Sequence, residues 1–378
     1  MSSRSSLTLA ALLYCNIIAS VASAEPVALF FDEHVDMNVS YGGGTNFTLA
    51  FRDDDNMIQY KDDNAVVVLS EAAIVNRTSG SAFDFIGVPA GAPYYRLPQG
   101  QNPAVVYLGL AAYGVASDSI DSYDATTESG GRVSGKAAWV RLKLIRSSGP
   151  GAVSIWQSGV SPTAFVATSN GISNDDSLWI RAGSHVHFNY GFTAPGEYRV
   201  TFELSAFQGG LPKVSCPITV FFRVDISNNV ALVRGTANLS NFLGKVSDQP
   251  LTVDLISGGS IVETQEIFPR CDGTFTLHTL KRGEFDIRAK GTHWLRQKIG
   301  GVSIPTDGVG GLAFMLTNGD IDGDNSVTVF DYDLLSQAFD SVPGDANWNA
   351  TADLDGDGAV TVFDYDALST NFDQMGDE

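Results

Sequence analysis

Positive charge is scarce in this chain. Lysine and arginine total 23 among 378 residues, against 43 aspartates and glutamates, for a formal net charge of −20. A protein of that sign is repelled by phosphate polyanions, which excludes non-specific nucleic-acid binding. No Lys or Arg follows Lys298, and 15 of the acids follow Leu316, so the negative excess is concentrated at the C-terminus. Cysteine is rarer still, at Cys15, Cys216 and Cys271. Three scattered cysteines do not make a disulfide framework. After Val21 no apolar run is long enough to cross a bilayer as a helix. The common catalytic signatures are absent too: no Gly-x-Ser-x-Gly elbow, no His-Glu-x-x-His helix, no phosphate-cradling loop. Glycoside hydrolysis needs only two carboxylates close in space, and the sequence singles out no such pair.

The first residues read as an export signal. Arg4 supplies a charged start, Leu7 to Val21 an apolar stretch, and Ala22-Ser23-Ala24 a small-residue cleavage site, so the mature chain is expected to begin at Glu25. A lipid anchor on Cys15 needs a small residue before it, and Tyr14 is not small. The expected address is secreted or cell-surface associated. About 350 mature residues suffice for two or three domains. Cys216 and Cys271 fall in different expected domains. The reading favoured for them is two buried free thiols, although an oxidising exterior permits a disulfide.

Strand signals dominate up to Pro305. Ala65–Leu69, Trp139–Leu144, Tyr198–Leu204 and Ile218–Val224 are short, β-branched or aromatic, and punctuated by Gly and Asp/Asn/Ser clusters. No long amphipathic helix precedes residue 317. The expected fold is therefore an all-β multi-domain chain of β-sandwich modules, with a small α-helical, calcium-loop module at the C-terminus. The expected boundaries are a signal at 1–24, a β-rich module at 25–228, a Greek-key sandwich at 229–316 and the calcium module at 317–373. In the sandwich, strands are expected near 231–237, 251–256, 263–268, 274–278, 283–289 and 312–316, with Asp272-Gly273 as a hairpin turn. Gly273-Thr274-Phe275 and Gly283 to Ile287 resemble the prealbumin-like, carboxypeptidase-regulatory type of module.

The last sixty residues contain the same pattern twice. Asp320, Asp322, Asp324, Ser326, Thr328 and Asp331 occupy positions 1, 3, 5, 7, 9 and 12 of one loop; Asp353, Asp355, Asp357, Ala359, Thr361 and Asp364 occupy them in the other. Ca²⁺ takes six to eight oxygens, and this spacing wraps carboxylates around one ion per loop, with the backbone carbonyl serving at position 7. A solvated acidic tail would not repeat a twelve-residue register with matching flanks. Helical spacing appears only on the exit side, at Tyr332, Leu335 and Phe339, then Tyr365, Leu368 and Phe372. A loop followed by one helix, duplicated across a short connector, resembles the type I dockerin. That resemblance implies two Ca²⁺ ions and docking, through two near-identical faces, onto a cohesin-like protein or a cell-surface scaffold. The positions implied to face the partner are Val329, Phe330, Val362 and Phe363, with Ser336, Gln337, Ser369 and Thr370 mid-helix. Cellulosomal members usually carry a Lys or Arg there, and this chain does not. The two phenylalanines fit equally a core that pins the module to its neighbour.

Three of the five histidines form i, i+2 patterns. His34 precedes Asp36, and His185 precedes His187. Alternate residues of a strand share a face, so each pair projects to one side. Three imidazoles and a carboxylate are a candidate site for Zn²⁺ or another divalent transition metal, provided the two strands lie side by side. The alternative is ordinary strand histidines serving packing or hydrogen bonding. The run from His185 to Tyr198, with His34-Val35-Asp36, Phe85 to Tyr94 and Ser154 to Gly159, resembles the choice-of-anchor M domain of actinobacterial surface proteins over residues 28–206. It implies an exported surface module.

The combined reading is a secreted, non-catalytic protein whose calcium-bound C-terminal module docks an N-terminal β-module onto a partner. The alternative is a carbohydrate-active enzyme or glycan-binding accessory of a polysaccharide-degrading assembly.

Overall fold

A computed structural model describes residues 27–226 and 230–378. The expected export signal, Cys15 and the end of the first expected boundary, residues 227–229, lie outside the described residues. The chain is mostly strand, with short helices confined to the C-terminal segment apart from 3₁₀ turns. Three large apolar cores follow one another along the sequence, beside two small clusters, one of Val66, Val68, Phe221 and Val230 and one of Ile86, Tyr94 and Trp156. The first gathers residues from Phe30 to Val224, the second from Ala231 to Leu316, and the third from Ile321 to Leu368 together with Leu295.

Three sheets build the first part. An eight-stranded sheet runs through Ala28–Phe30, Ala65–Leu69, Ile218–Val224, Gly196–Gln208, Lys136–Ser148 and Ser177–Arg181, with two short strands attached at its flanks. A five-stranded sheet contains Val153–Gln157 and Asn189–Phe192. Another five-stranded sheet has the order His185–His187, Tyr107–Gly114, His34–Tyr41, Phe47–Asp53, Ile58–Lys61. Along His34–Tyr41, Val35, Met37 and Val39 enter the core, and their burial contributes roughly 1.5–3 kcal/mol each. Strand periodicity then turns His34 and Asp36 to the opposite face.

The second part packs a three-stranded sheet (Thr274–Thr279, Ala231–Leu239, Val309–Leu316) on a four-stranded one (Ser260–Ile267, Leu251–Ser257, Gly283–Gly291, Gln297–Ile304). All six expected strands occur, and Gln297–Ile304 is an additional one. Its sequence carries Gly300-Gly301, whose weak strand propensity hid it. Asp272-Gly273 is a turn, but not a hairpin. The strands it joins pair in different sheets, so it carries the chain from one layer to the other.

The expectation of free thiols is overturned. Cys216 and Cys271 form a disulfide, with Cα atoms 5.8 Å apart. Sequence distance suggested separate domains, yet the two parts abut. The ring of Phe221 stacks on His278 at 3.8 Å, Arg234 Nη2 donates to Asn64 Oδ1 at 2.9 Å, and Arg270 pairs with Asp62.

No linker separates the second part from the duplicated acidic loops. Residues 309–316 are strand, and Asn318 is fully buried. The Asn318 side-chain amide donates to the carbonyls of Ser240 and Leu354, tying sandwich to loop. Leu295, from the turn after Gly283–Gly291, enters the core of the C-terminal module.

Candidate functional site

The duplicated loops fold alike. In the first, Asp331 Oδ1 accepts from the amides of Ile321 and Asp322 at 2.7 and 3.1 Å, and Oδ2 accepts from Thr328 N at 2.7 Å. In the second, Asp364 Oδ1 accepts from Leu354 and Asp355 at 2.6 and 3.1 Å, and Oδ2 from Thr361 N at 2.7 Å. Each position-12 carboxylate thus clamps the start of its loop to the first turn of the following helix. Asp322, Asp324, Asp355 and Asp357 each accept the amide two residues ahead, which curls the chain back on itself.

These turns draw carboxylates together. Ligand atoms of Asp320, Asp322 and Asp324 lie within 4.8 Å of one another, as do those of Asp353, Asp355 and Asp364. Asp331 and Asp357 are not in those groups of three. Burial, and then neighbouring carboxylates, push the carboxyls of Asp322, Asp353 and Asp355 upward. One oxygen of the fully buried Asp320 has no hydrogen-bond partner among the described residues. The chemistry of the donor set, oxygens alone, fits Ca²⁺. Thr328 and Thr361 occupy position 9, immediately before each helix. Their hydroxyls cap the helices, accepting from Phe330 N and Phe363 N at 3.2 Å. Ser326 and Ala359 sit at position 7, where only the backbone carbonyl is asked for.

Two helices leave the loops, α1 at Val329–Ala338 and α2 at Val362–Thr370. Both begin with a capping box built by Thr328 and Asp331, or Thr361 and Asp364. Of the expected apolar stripe, only Leu335 and Leu368 are core. Tyr332, Phe339, Tyr365 and Phe372 are exposed, because the module is too small to bury a full stripe on each helix. Tyr332 meets Tyr365 edge to face at 6.0 Å. Val329 and Phe330 are 58% and 66% exposed, and Val362 and Phe363 are likewise 58% and 66% exposed. The alternative of a core pinning the module to its neighbour is thereby corrected, since these side chains lie open and other residues hold the contact. That contact uses Asn318, Leu295, and Phe242 against Gly356, with Leu243 N donating to Asp355 O at 2.6 Å.

The histidine cluster lies in the first part. The sequence expected the His34 and His185 strands to be neighbours, and they are not. The Tyr107–Gly114 strand runs between them, pairing Asp36 with Gly109 on one side and Gly109 with His187 on the other. The side chains meet nonetheless, because the intervening residue has none. A Cβ at Gly109 would stand 1.9 Å from Asp36 Oδ1 and 2.9 Å from His187 Cε1. One ligand atom from each of His34, Asp36, His185 and His187 lies within 4.8 Å of the others. His185 Nε2 and His187 Nε2 are 2.8 Å apart, and His34 Nε2 is 3.8 Å from Asp36 Oδ1. Burial holds the His187 imidazole at about 4, hence neutral at pH 7, and raises the Asp36 carboxyl. The Gly109 gap was not visible in the sequence, since a lone glycine forms no motif with the histidines.

Comparison with known proteins assigns the duplicated loops to a domain type. Residues 318–372 match the Dockerin type I domain. The C-terminal segment is a type I dockerin domain, a docking module. No curated protein matches the chain. Among solved structures, the chain is similar to an N-terminal interface mutant of a type II cohesin-X-dockerin complex from Acetivibrio cellulolyticus, at 21% identity over 39% of this chain and 97% of that one, TM-score 0.33. A C-terminal interface mutant of that complex gives the same values, 21% identity, 39% and 97% coverage, TM-score 0.33. The major pilin subunit of Bacillus cereus shows 13% identity over 47% of this chain and 58% of that one, TM-score 0.17. Among the described residues no helix is long and apolar enough to cross a membrane.

Proposed function

We propose that this protein is an exported, non-catalytic assembly component, in which a dockerin holding two Ca²⁺ ions fastens an N-terminal β-module to a cohesin-like partner or a cell-surface scaffold. The observation that carries the reading is the equal exposure of the Val329-Phe330 and Val362-Phe363 pairs. Exposed phenylalanines at matching places on duplicated helices are what a partner covers, since burying each aromatic removes large apolar area from water. Calcium acts by neutralising carboxylates that otherwise repel one another, which fixes the loops and so the helices they cap. Asp320, Asp322, Asp324 and Asp331 hold one ion, with the Ser326 carbonyl. Asp353, Asp355, Asp357 and Asp364 hold the other, with the Ala359 carbonyl. The Cys216–Cys271 bridge supports an oxidising exterior.

The N-terminal part, read as a choice-of-anchor M domain from its own sequence, is the cargo, and the prealbumin-like sandwich is the mount. Leu295 of the mount packs in the core of the docking module, so the two share buried apolar contact. The test is binding of the full chain to immobilised type I cohesin modules in calcium and in chelator. Saturable binding in calcium that disappears in chelator supports the reading. Absence of binding to every cohesin tried, with retention on isolated cell-wall material, moves the partner to the surface scaffold; absence of both contradicts it.

A further inference from the structure

The donor set gathered around Gly109 differs in kind from the two loops. It offers three imidazole nitrogens and one carboxylate. Ca²⁺ selects oxygen, whereas imidazole with carboxylate suits divalent transition metals. In a tetrahedral site with ligands at about 2.0–2.1 Å, donor atoms stand about 3.3 Å apart. The His185–His187 nitrogen separation is 2.8 Å, the His34–Asp36 separation 3.8 Å, and the whole set fits within 4.8 Å. These values bracket that spacing.

Burial makes the arrangement hard to explain as packing alone. Asp36 is fully buried, yet neither carboxylate oxygen has a hydrogen-bond partner among the described residues. His34 Nε2 is likewise buried and unpartnered. Buried polar atoms left this way cost about 1–3 kcal/mol each, so a fold that retains several in one spot needs a reason. Both Asp36 oxygens and the His34 nitrogen lie in one cluster.

The outer contacts are those of ligands. His187 Nδ1 lies 3.1 Å from the carbonyl of Leu108, an acceptor only, so Nδ1 carries the proton and Nε2 presents its lone pair to the cluster. His34 Nδ1 faces Asp54 Oδ2 at 4.0 Å, and Arg52 Nε holds Asp54 at 2.7 Å. A backbone carbonyl or carboxylate behind the far ring nitrogen is how metal-binding histidines are oriented. The Tyr107 ring stacks on His187 at 3.7 Å and 5°, fixing the plane of the imidazole.

We infer that His34, Asp36, His185 and His187 form a binding site for one divalent transition-metal cation of the Zn²⁺ class. Four protein ligands fill a tetrahedral shell and leave no open position for substrate, so the site retains a cation and does not hydrolyse. His185 is the exposed member. It is the entry side, and an ion held there exchanges with solvent. The inference is independent of the dockerin reading, because no residue is shared.

The test uses the full chain, stripped with chelator, saturated with Ca²⁺ and titrated with Co²⁺ as a spectroscopic stand-in for Zn²⁺. The expected result is one equivalent of Co²⁺, with the intense visible bands of a four-coordinate ion, displaced by Zn²⁺. His185→Ala should weaken that binding by roughly 100-fold or more, given that loss of an outer contact alone costs 10–100-fold. His185 is exposed, so the variant folds, and an unchanged far-ultraviolet spectrum verifies it. Asp36→Asn, equal in shape, should weaken binding comparably. Failure of the Ca²⁺-saturated wild type to take up Co²⁺ overturns the inference. So does uptake that His185→Ala leaves undiminished.

Discussion

Reduction of the Cys216–Cys271 bridge is the perturbation whose size the structure fixes best. The bridge closes a loop with a sequence separation of 55 residues. Loop-closure entropy for that length gives about 4 kcal/mol, acting on the unfolded chain. It is a ceiling, since a compact unfolded state has less entropy to lose. The first two parts, about 290 residues between Val27 and Leu316, have an unfolding entropy of roughly 0.6 kcal/mol per kelvin at about 2.1 cal/mol/K per residue. A loss of 4 kcal/mol therefore lowers Tm by about 6–7 °C if they unfold as one unit. The two parts should not come apart at room temperature. The Phe221–His278 stack, the Arg270–Asp62 pair and the bond from Arg199 Nη1 to Glu266 O, 3.0 Å long, all survive reduction. The assay is scanning calorimetry of the full chain in calcium with and without reductant, alongside its hydrodynamic radius. A Tm that moves by less than a degree, or two transitions with unshifted midpoints, would refute the idea that the bridge locks one cooperative unit.

Other outcomes follow from single contacts. Leu295→Ala should destabilise the dockerin by about 3 kcal/mol although it lies before residue 318, because its side chain sits in that core; hydrogen exchange in α1 and α2 reads this. His278 is buried, without a hydrogen-bond partner among the described residues, and burial lowers its pKa well below the ordinary value. The unfolded chain therefore binds the proton first, so this contribution to stability is full above about pH 6.5 and is lost as pH falls below it. At pH 5.5 the loss is about 1.4 kcal/mol, and His278→Leu should flatten that share of the pH dependence in thermal melts. Lys290 shares the buried carboxylate of Asp320. Lys290→Met should destabilise the calcium-free chain by on the order of 3 kcal/mol while tightening calcium at the first loop, seen by calorimetric titration.

The strand pattern and the duplicated loops were legible because both have a short period. Ile218–Val224 is read at its observed bounds, and the twelve-residue register contains the carboxylates that gather, Asp320, Asp322 and Asp324 in one loop and Asp353, Asp355 and Asp364 in the other. What escaped depends on residues distant in sequence. Leu295 gives no sign that it belongs to the core of a later module. Cys216 and Cys271 looked unrelated until the layers were seen to abut. The histidine pairs announced one shared face, but only the interposed strand shows why they meet, since Gly109 carries no motif and its role is to have no side chain. Tyr332 and Phe339 kept helical spacing yet point outward, so periodicity marked the helix without saying which aromatics it buries.

Binding of the full chain to a cohesin module, with Phe330→Ala, Phe363→Ala and the double variant compared in saturating calcium, tests the docking account most directly. Two equivalent faces predict that either single change leaves affinity within about tenfold, because the chain turns its other face to the partner, and that the double change weakens it by about 30-fold or more, since whichever face binds has then lost an aromatic anchor at a cost of at least ~2 kcal/mol. A double variant that binds like the wild type would contradict the account, and so would a single variant as damaging as the double.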